Sequence, residues 1–180
     1  MKKFLIIAFA SLLSVSAFAQ GTVNFNNSAS SLIIDPRTGV GAAAGGAFTV
    51  ALYWGVAGTT DASALVQIGA TGLVNPTPGR YSAGTRTTGV GTAPGANAVF
   101  QVRAWETSGG STWDQALASG VYYGSSALFT SATGGAGEPP SAAVSLSATV
   151  PGFTMVPEPS TFALGALGLG ALLMVRRRKV

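Results

Sequence analysis

The chain has 180 residues, ten Lys and Arg against six Asp and Glu, and neither cysteine nor histidine. Disulfides, thiolate nucleophiles, histidine bases and the usual zinc sites are therefore excluded, and an exported body must hold together by core burial alone. The basic balance does not point to nucleic acid, because Lys2, Lys3, Arg176, Arg177, Arg178 and Lys179 lie in the two end segments. Between them stand Arg37, Arg80, Arg86 and Arg103 against Asp35, Asp61, Glu106, Asp114 and Glu138, a balance of 4 − 5 = −1. No basic stripe remains to neutralise phosphates.

The N-terminus reads as a secretory signal over residues 1–19. Lys2 and Lys3 form the charged region and Phe4 to Val15 the apolar region. Ala17-Phe18-Ala19 is a small-x-small cleavage site before Gln20. Residues 20–155 are then one exported domain by length.

Within that body, period-two alternation recurs between turns rich in Gly, Pro, Ser and Asn. The first strand is expected over Thr22–Asn26. The second covers Ser31–Ile34, stopped by Asp35-Pro36, since proline has no N–H for a central ladder. Gly39–Gly46 reads as a flexible loop. The strongest strand is Ala47–Trp54, with Phe48, Val50, Leu52 and Trp54 on one face. Ala64–Ile68 is a shorter strand, and 72–97 a long connection broken by prolines and glycines. Val99–Glu106 is the second strong strand, with Phe100, Val102 and Ala104 on one side. Gly39-Val40-Gly41 before Phe48-x-Val50 matches Gly89-Val90-Gly91 before Phe100-x-Val102, either as a degenerate repeat or as a shared strand entry.

The one helical segment is Ser111–Ser119. Thr112 and Gln115 have the spacing of a capping box, and Gly120 stops the helix. Strands are expected at Val121–Tyr123 and Ala127–Phe129, then a turn-rich loop over Gly134–Pro140. Val144, Leu146, Ala148 and Val150 alternate with Ser145, Ser147 and Thr149, the cleanest period of two in the chain. Gly152–Met155 closes the sheet. The fold class expected is all-β, an antiparallel β-sandwich of about eight or nine short strands.

Residues 156–180 change character. Val156, Pro157, Glu158, Pro159 and Ser160 form a stiff, extended stretch, because two prolines fix φ and remove N–H groups. The fifteen residues Thr161–Val175 are apolar or small after the opening threonine. As a transmembrane helix they rise about 22 Å, less than the ~30 Å hydrocarbon core, a shortfall that snorkelling arginines absorb. Arg176, Arg177, Arg178 and Lys179 stop transfer and hold the C-terminus in the cytoplasm. In this order, Val-Pro-Glu-Pro-Ser, apolar run and basic end resemble the PEP-CTERM sorting signal of Gram-negative bacteria. The resemblance implies an exosortase, an integral-membrane transpeptidase-like enzyme, as partner. It also implies a precursor held transiently in the inner membrane with a periplasmic body, processed near Pro157-Glu158-Pro159 and passed to the surface or matrix.

For the body, no catalytic, cofactor or metal residue is assigned. The Gly-x-Gly stretches lead into strands, not helices, which rules out a dinucleotide loop. Glu106 and Asp114 are the one carboxylate pair near enough for glycoside hydrolysis, and read better as solvated charges. The acids are too scattered to make a calcium loop. Trp54, Trp105, Trp113, Tyr53, Tyr122 and Tyr123 read by default as core or inter-sheet packing; the alternative is a sugar-stacking face, towards which Tyr53 and Trp105 point by lying off the apolar faces of their strands. An exopolysaccharide would be its ligand. An ice-binding face would need a threonine ladder, and Thr85, Thr87 and Thr88 read as a loop cluster. A structural or adhesive body, not an enzyme, fits the low-charge composition best; a carbohydrate-binding module is second and a glycan-active enzyme third.

Overall fold

A computed structural model of the chain describes residues 20–136 and 139–157. The expectations for Ala17, Ala19, Glu138, Glu158, Pro159, Ser160, the helix 161–175 and Arg176, Arg177, Arg178 and Lys179 fall outside these residues. Among the described residues no helix is long and apolar enough to cross a membrane.

The strands in chain order are β1 (Thr22–Asn26), β2 (Ile33–Asp35), β3 (Val40–Gly41), β4 (Phe48–Val56), β5 (Val66–Gln67) and β6 (Gly72–Leu73). They are followed by β7 (Ser82–Thr87), β8 (Asn97–Glu106), β9 (Tyr123–Ser125), β10 (Phe129–Ala132), β11 (Val144–Ser145) and β12 (Phe153–Thr154). One helix, α1 (Trp113–Ser119), interrupts them. They form three sheets: β11-β1-β7, β12-β2-β3, and a six-stranded sheet ordered β10-β8-β4-β5 with β6 on β4 and β9 on β8.

The two long strands are the centre. Antiparallel β4 and β8 pair from Phe48↔Glu106 to Val56↔Ala98. One face carries Phe48, Val50, Leu52, Phe100, Val102 and Ala104 into a core shared with Val23 and Phe25 of β1, Ile33 of β2, Leu146 and Met155. The alternation of the sequence produces this face directly. The opposite face is also covered: Ala51, Tyr53, Val99 and Trp105 pack with Leu65 and Ala116 in a second cluster. A sheet buried on both faces explains why β4 and β8 read as nearly continuous apolar runs.

The helix forms as its sequence dictates. Thr112 Oγ1 accepts from the Gln115 amide, Gln115 reciprocates to the Thr112 amide, and Gly120 ends the helix at φ 72°. A left-handed residue there favours glycine.

Several expectations are corrected. The sheets are not wholly antiparallel, because β1 pairs β11 and β2 pairs β12 in parallel. These pairings join chain ends far apart in sequence, which no local pattern encodes. The loop 39–46 contributes β3, paired to β2. The connection 72–97 contains β6 and β7. Strand β7 pairs β1 across a register shift, with Gly84 at φ 79° inside it, so its pattern is broken by a bulge. Thr85 and Thr87 therefore sit on a strand, and Thr88 is buried, donating to Gly21 O. The two Gly-Val-Gly segments differ: Val40 is paired in β3, while Val90 stands 86% exposed in a turn.

The cleanest alternation is the largest correction. Only Val144–Ser145 is strand; Leu146–Ala148 is a 3₁₀ turn capped by the Ser145 hydroxyl, which accepts from the Ser147 amide. Leu146 and Val150 are both buried because the turn puts them on one side, the Val150 amide donating to Leu146 O, while Ala148 is exposed. Serine and threonine side chains compete with a ladder through such local bonds.

Candidate functional site at the exit of the C-terminal motif

Strand β12 is the body's last element, and it leads straight into the motif. The Phe153 amide donates to Leu32 O at 3.2 Å and the Met155 amide to Ile34 O at 3.0 Å, so this backbone is stitched to β2. Met155 is fully buried in the main core, a contribution of roughly 2 kcal/mol from its apolar surface. The next residue turns to the other side. The Val156 amide donates to Tyr123 O at 2.7 Å, and the Tyr123 amide donates to Val156 O at 3.2 Å. Thus β12 lies between the edges of β2 and β9, and the first residue of the Val-Pro-Glu-Pro-Ser stretch is still part of the fold.

The approach of β12 to β9 depends on Gly124. A Cβ there would lie 2.9 Å from Met155 Cα and 3.2 Å from Thr154 O. Val156 is 49% exposed and Pro157 is exposed. Beside the strand an open cleft of about 340 Å³ is lined by Leu32, Ile34, Phe153 and neighbours.

A charged clamp braces the same corner. Asp35, at the end of β2, is buried and accepts from the Arg37 amide and from the guanidinium at 2.8–3.2 Å. Arg37 also reaches Glu106 Oε1, at the end of β8, at 2.6 Å. Its guanidinium lies 4.5 Å from the centroid of the Tyr122 ring. Glu106 Oε2 accepts from the Tyr122 amide at 3.3 Å, and the Glu106 amide donates to Tyr122 O at 3.0 Å. The guanidinium hydrogen bonds hold the Asp35 carboxyl below the ordinary carboxylate range. The same bonds to Asp35 push Arg37 further up, so it stays charged. Arg37 thereby fastens β2 to β8 and to the residue before Tyr123.

Glu106, then, is engaged with Arg37, not a free solvated acid. Asp114 sits exposed in the first turn of α1. The exposure expected of Tyr53 and Trp105 is also corrected, and packing, the default reading of these rings, is what the structure shows for both. Trp105 is fully buried, its Nε1 donating to Gly110 O at 2.9 Å, and Tyr53 is buried. The face opposite the main core is not solvent but the second cluster, which both rings fill. Trp113 packs edge-on against Trp105 and Tyr123, and the Arg103 guanidinium lies over Tyr53 at 3.8 Å and Trp113 at 5.3 Å. Burial raises the Tyr53 phenol above its usual range.

At the other end, Gln20 is half-buried and Gly21 is buried, its amide donating to Thr92 O. Of the sorting residues read from the sequence, the structure places Val156 and Pro157. Among the described residues no group of three acids, cysteines or histidines could hold a metal ion. Sequence reasoning missed the partners of the motif, Tyr123, Gly124 and the Arg37 clamp. Only the Asp35-Pro36-Arg37 turn gave a local hint, since aspartate commonly accepts from the amide two residues on.

The molecule is thus a mostly β domain whose last strand-paired residue opens a C-terminal signal. That signal is the PEP-CTERM protein-sorting motif, whose family model matches residues 156–179. The motif implies recognition by exosortase, a membrane enzyme, and export through a membrane-anchored sorting intermediate. No curated protein and no solved structure matches the chain.

Proposed function

We propose that this is an exported surface or matrix protein, delivered through its PEP-CTERM signal, whose β body is structural or adhesive rather than catalytic. The observation that carries the reading is the motif match at residues 156–179, beginning where the body's last strand ends. On this reading residues 1–19 are removed on export, with Ala17 and Ala19 before the cut. The 161–175 segment then anchors the precursor in the inner membrane, with Arg176–Lys179 left in the cytoplasm.

The body supports a non-catalytic role by how its polar groups are used. Glu106, one of the two acids considered for hydrolysis, is held by Arg37 and the Tyr122 amide. Of the rings considered for sugar stacking, Tyr53, Trp105, Trp113 and Tyr123 are spent on each other and on Arg103, Tyr122 on Arg37 and Trp54 on the main core, which favours the structural reading over a carbohydrate-binding one. Replacing Val156–Ser160 by a Gly/Ser stretch tests the sorting reading. The unprocessed protein should accumulate in the inner membrane; unchanged surface delivery and an unchanged mature mass would refute it.

A further inference from the structure

Resting on that sorting reading, we propose that the folded body sets the upstream limit of processing. The bond that is broken lies C-terminal to Pro157, and Tyr123 and Gly124 are the positioning residues that enforce this. A processing enzyme must take the backbone on both sides of the scissile bond as an open, extended strand. From Phe153 to Val156 that backbone is already in use. The Phe153 and Met155 amides are bonded to β2, and the Val156 amide and carbonyl are bonded to Tyr123. The Met155 side chain is buried, and Gly124 brings β9 so close that a Cβ would meet Met155 Cα at 2.9 Å. Opening any bond up to Met155–Val156 would require pulling Met155 out of the core and unpairing β12 from both neighbours, and opening Val156–Pro157 would require breaking the Val156 pair with Tyr123. Pro157 itself is exposed and has no N–H to pair.

The chemistry is acyl transfer without redox change. The amide C–N bond after the new C-terminal residue breaks, and its carbonyl carbon bonds to a nucleophile of the membrane enzyme. The departing nitrogen takes a proton. The acyl group then passes to water, or to an amine or hydroxyl acceptor, whose proton is released. The body supplies none of these groups; it decides which bonds can be reached.

The test is intact-mass and C-terminal peptide analysis of the full-length chain after processing in an exosortase-bearing host. It is run on the wild type, on Gly124→Val, which wedges β9 from β12, and on Tyr123→Pro, which deletes the amide donated to Val156. The wild type should give a C-terminus at Pro157 or later. The two variants, with the motif itself untouched, should add termini at or upstream of Val156. Amide exchange on the wild-type precursor should show Val156 and Met155 slowed at least about tenfold relative to an unpaired segment. A wild-type terminus at Val156 or earlier would overturn the inference while leaving the sorting reading intact. Unprotected Val156 and Met155 amides would overturn it too, as would variants that remain folded by circular dichroism yet keep the wild-type terminus. A surface protein that keeps its whole tail would overturn both.

Discussion

Arg37 and Glu106 meet at 2.6 Å across two different sheets, the one following β2 and the other ending β8. Arg37 is 42% exposed at its side chain and Glu106 19%, so the pair is partly screened by water. Its value lies between that of a surface pair and a buried one. Arg37→Ala and Glu106→Gln should each lower the body's stability by about 1–2 kcal/mol. Denaturant unfolding of the two single variants and the double variant should show coupling, with the double costing less than the sum. Additive effects would show that the contact contributes nothing.

The Asp35 carboxyl gives the clamp a pH dependence. Its folded pKa lies below the ordinary carboxylate range, chiefly through the Arg37 hydrogen bonds. A depressed folded pKa adds stability that is fully present above the unfolded value and lost as pH falls through the folded one. The midpoint of urea unfolding should therefore keep the Asp35 contribution from neutral pH down to about 5 and lose it below about 4. Asp35→Asn should remove that portion of the acid limb. An unchanged limb in the variant would show that Asp35 does not titrate in this way.

Two tryptophans that look alike in sequence should behave differently. Trp105 is fully buried with its indole N–H bonded, whereas Trp113 is only half-buried. Trp105→Ala should cost about 3–5 kcal/mol, a large part of a domain's total; Trp113→Ala should cost clearly less. Polysaccharide pull-down is therefore meaningful with Trp113→Ala alone. Binding that is lost in that variant while its thermal melting stays near wild type would revive the carbohydrate-binding alternative.

Helix α1 rests on its cap. Thr112→Ala should destabilise the body by about 1 kcal/mol, because it leaves the Gln115 amide without its acceptor. Thr112→Ser should restore most of the loss. Equal melting temperatures for all three proteins would show that packing of Ala116 alone holds the helix.

Much of this molecule is written locally. Alternation in Phe48–Trp54 and Val99–Glu106 marked the two strongest strands, because a strand's faces follow from a period of two; that they pair with each other came from the fold. Thr112, Gln115 and Gly120 marked both ends of the helix, because caps act over three or four residues. The order of motif, apolar run and cations identified the sorting signal for the same reason: its parts are contiguous, and the family match covers that stretch.

What the sequence left open was decided by contacts between distant segments. Val144–Val150 alternates as well as any strand, yet only its first two residues find a partner in β1, and serine hydroxyls turn the rest. Tyr53 and Trp105 looked solvent-facing because they lie off the alternating apolar faces of their strands; what buries them is a second cluster completed by Leu65 and Ala116 from elsewhere in the chain. The seat of Val156 between β2 and β9 belongs to this class. Period, caps and charge order act through neighbours along the chain and can be read from it. Parallel pairing, the second face of a sheet and an arginine shared by two carboxylates exist only once the chain has folded, because each is a meeting of residues that the backbone keeps far apart.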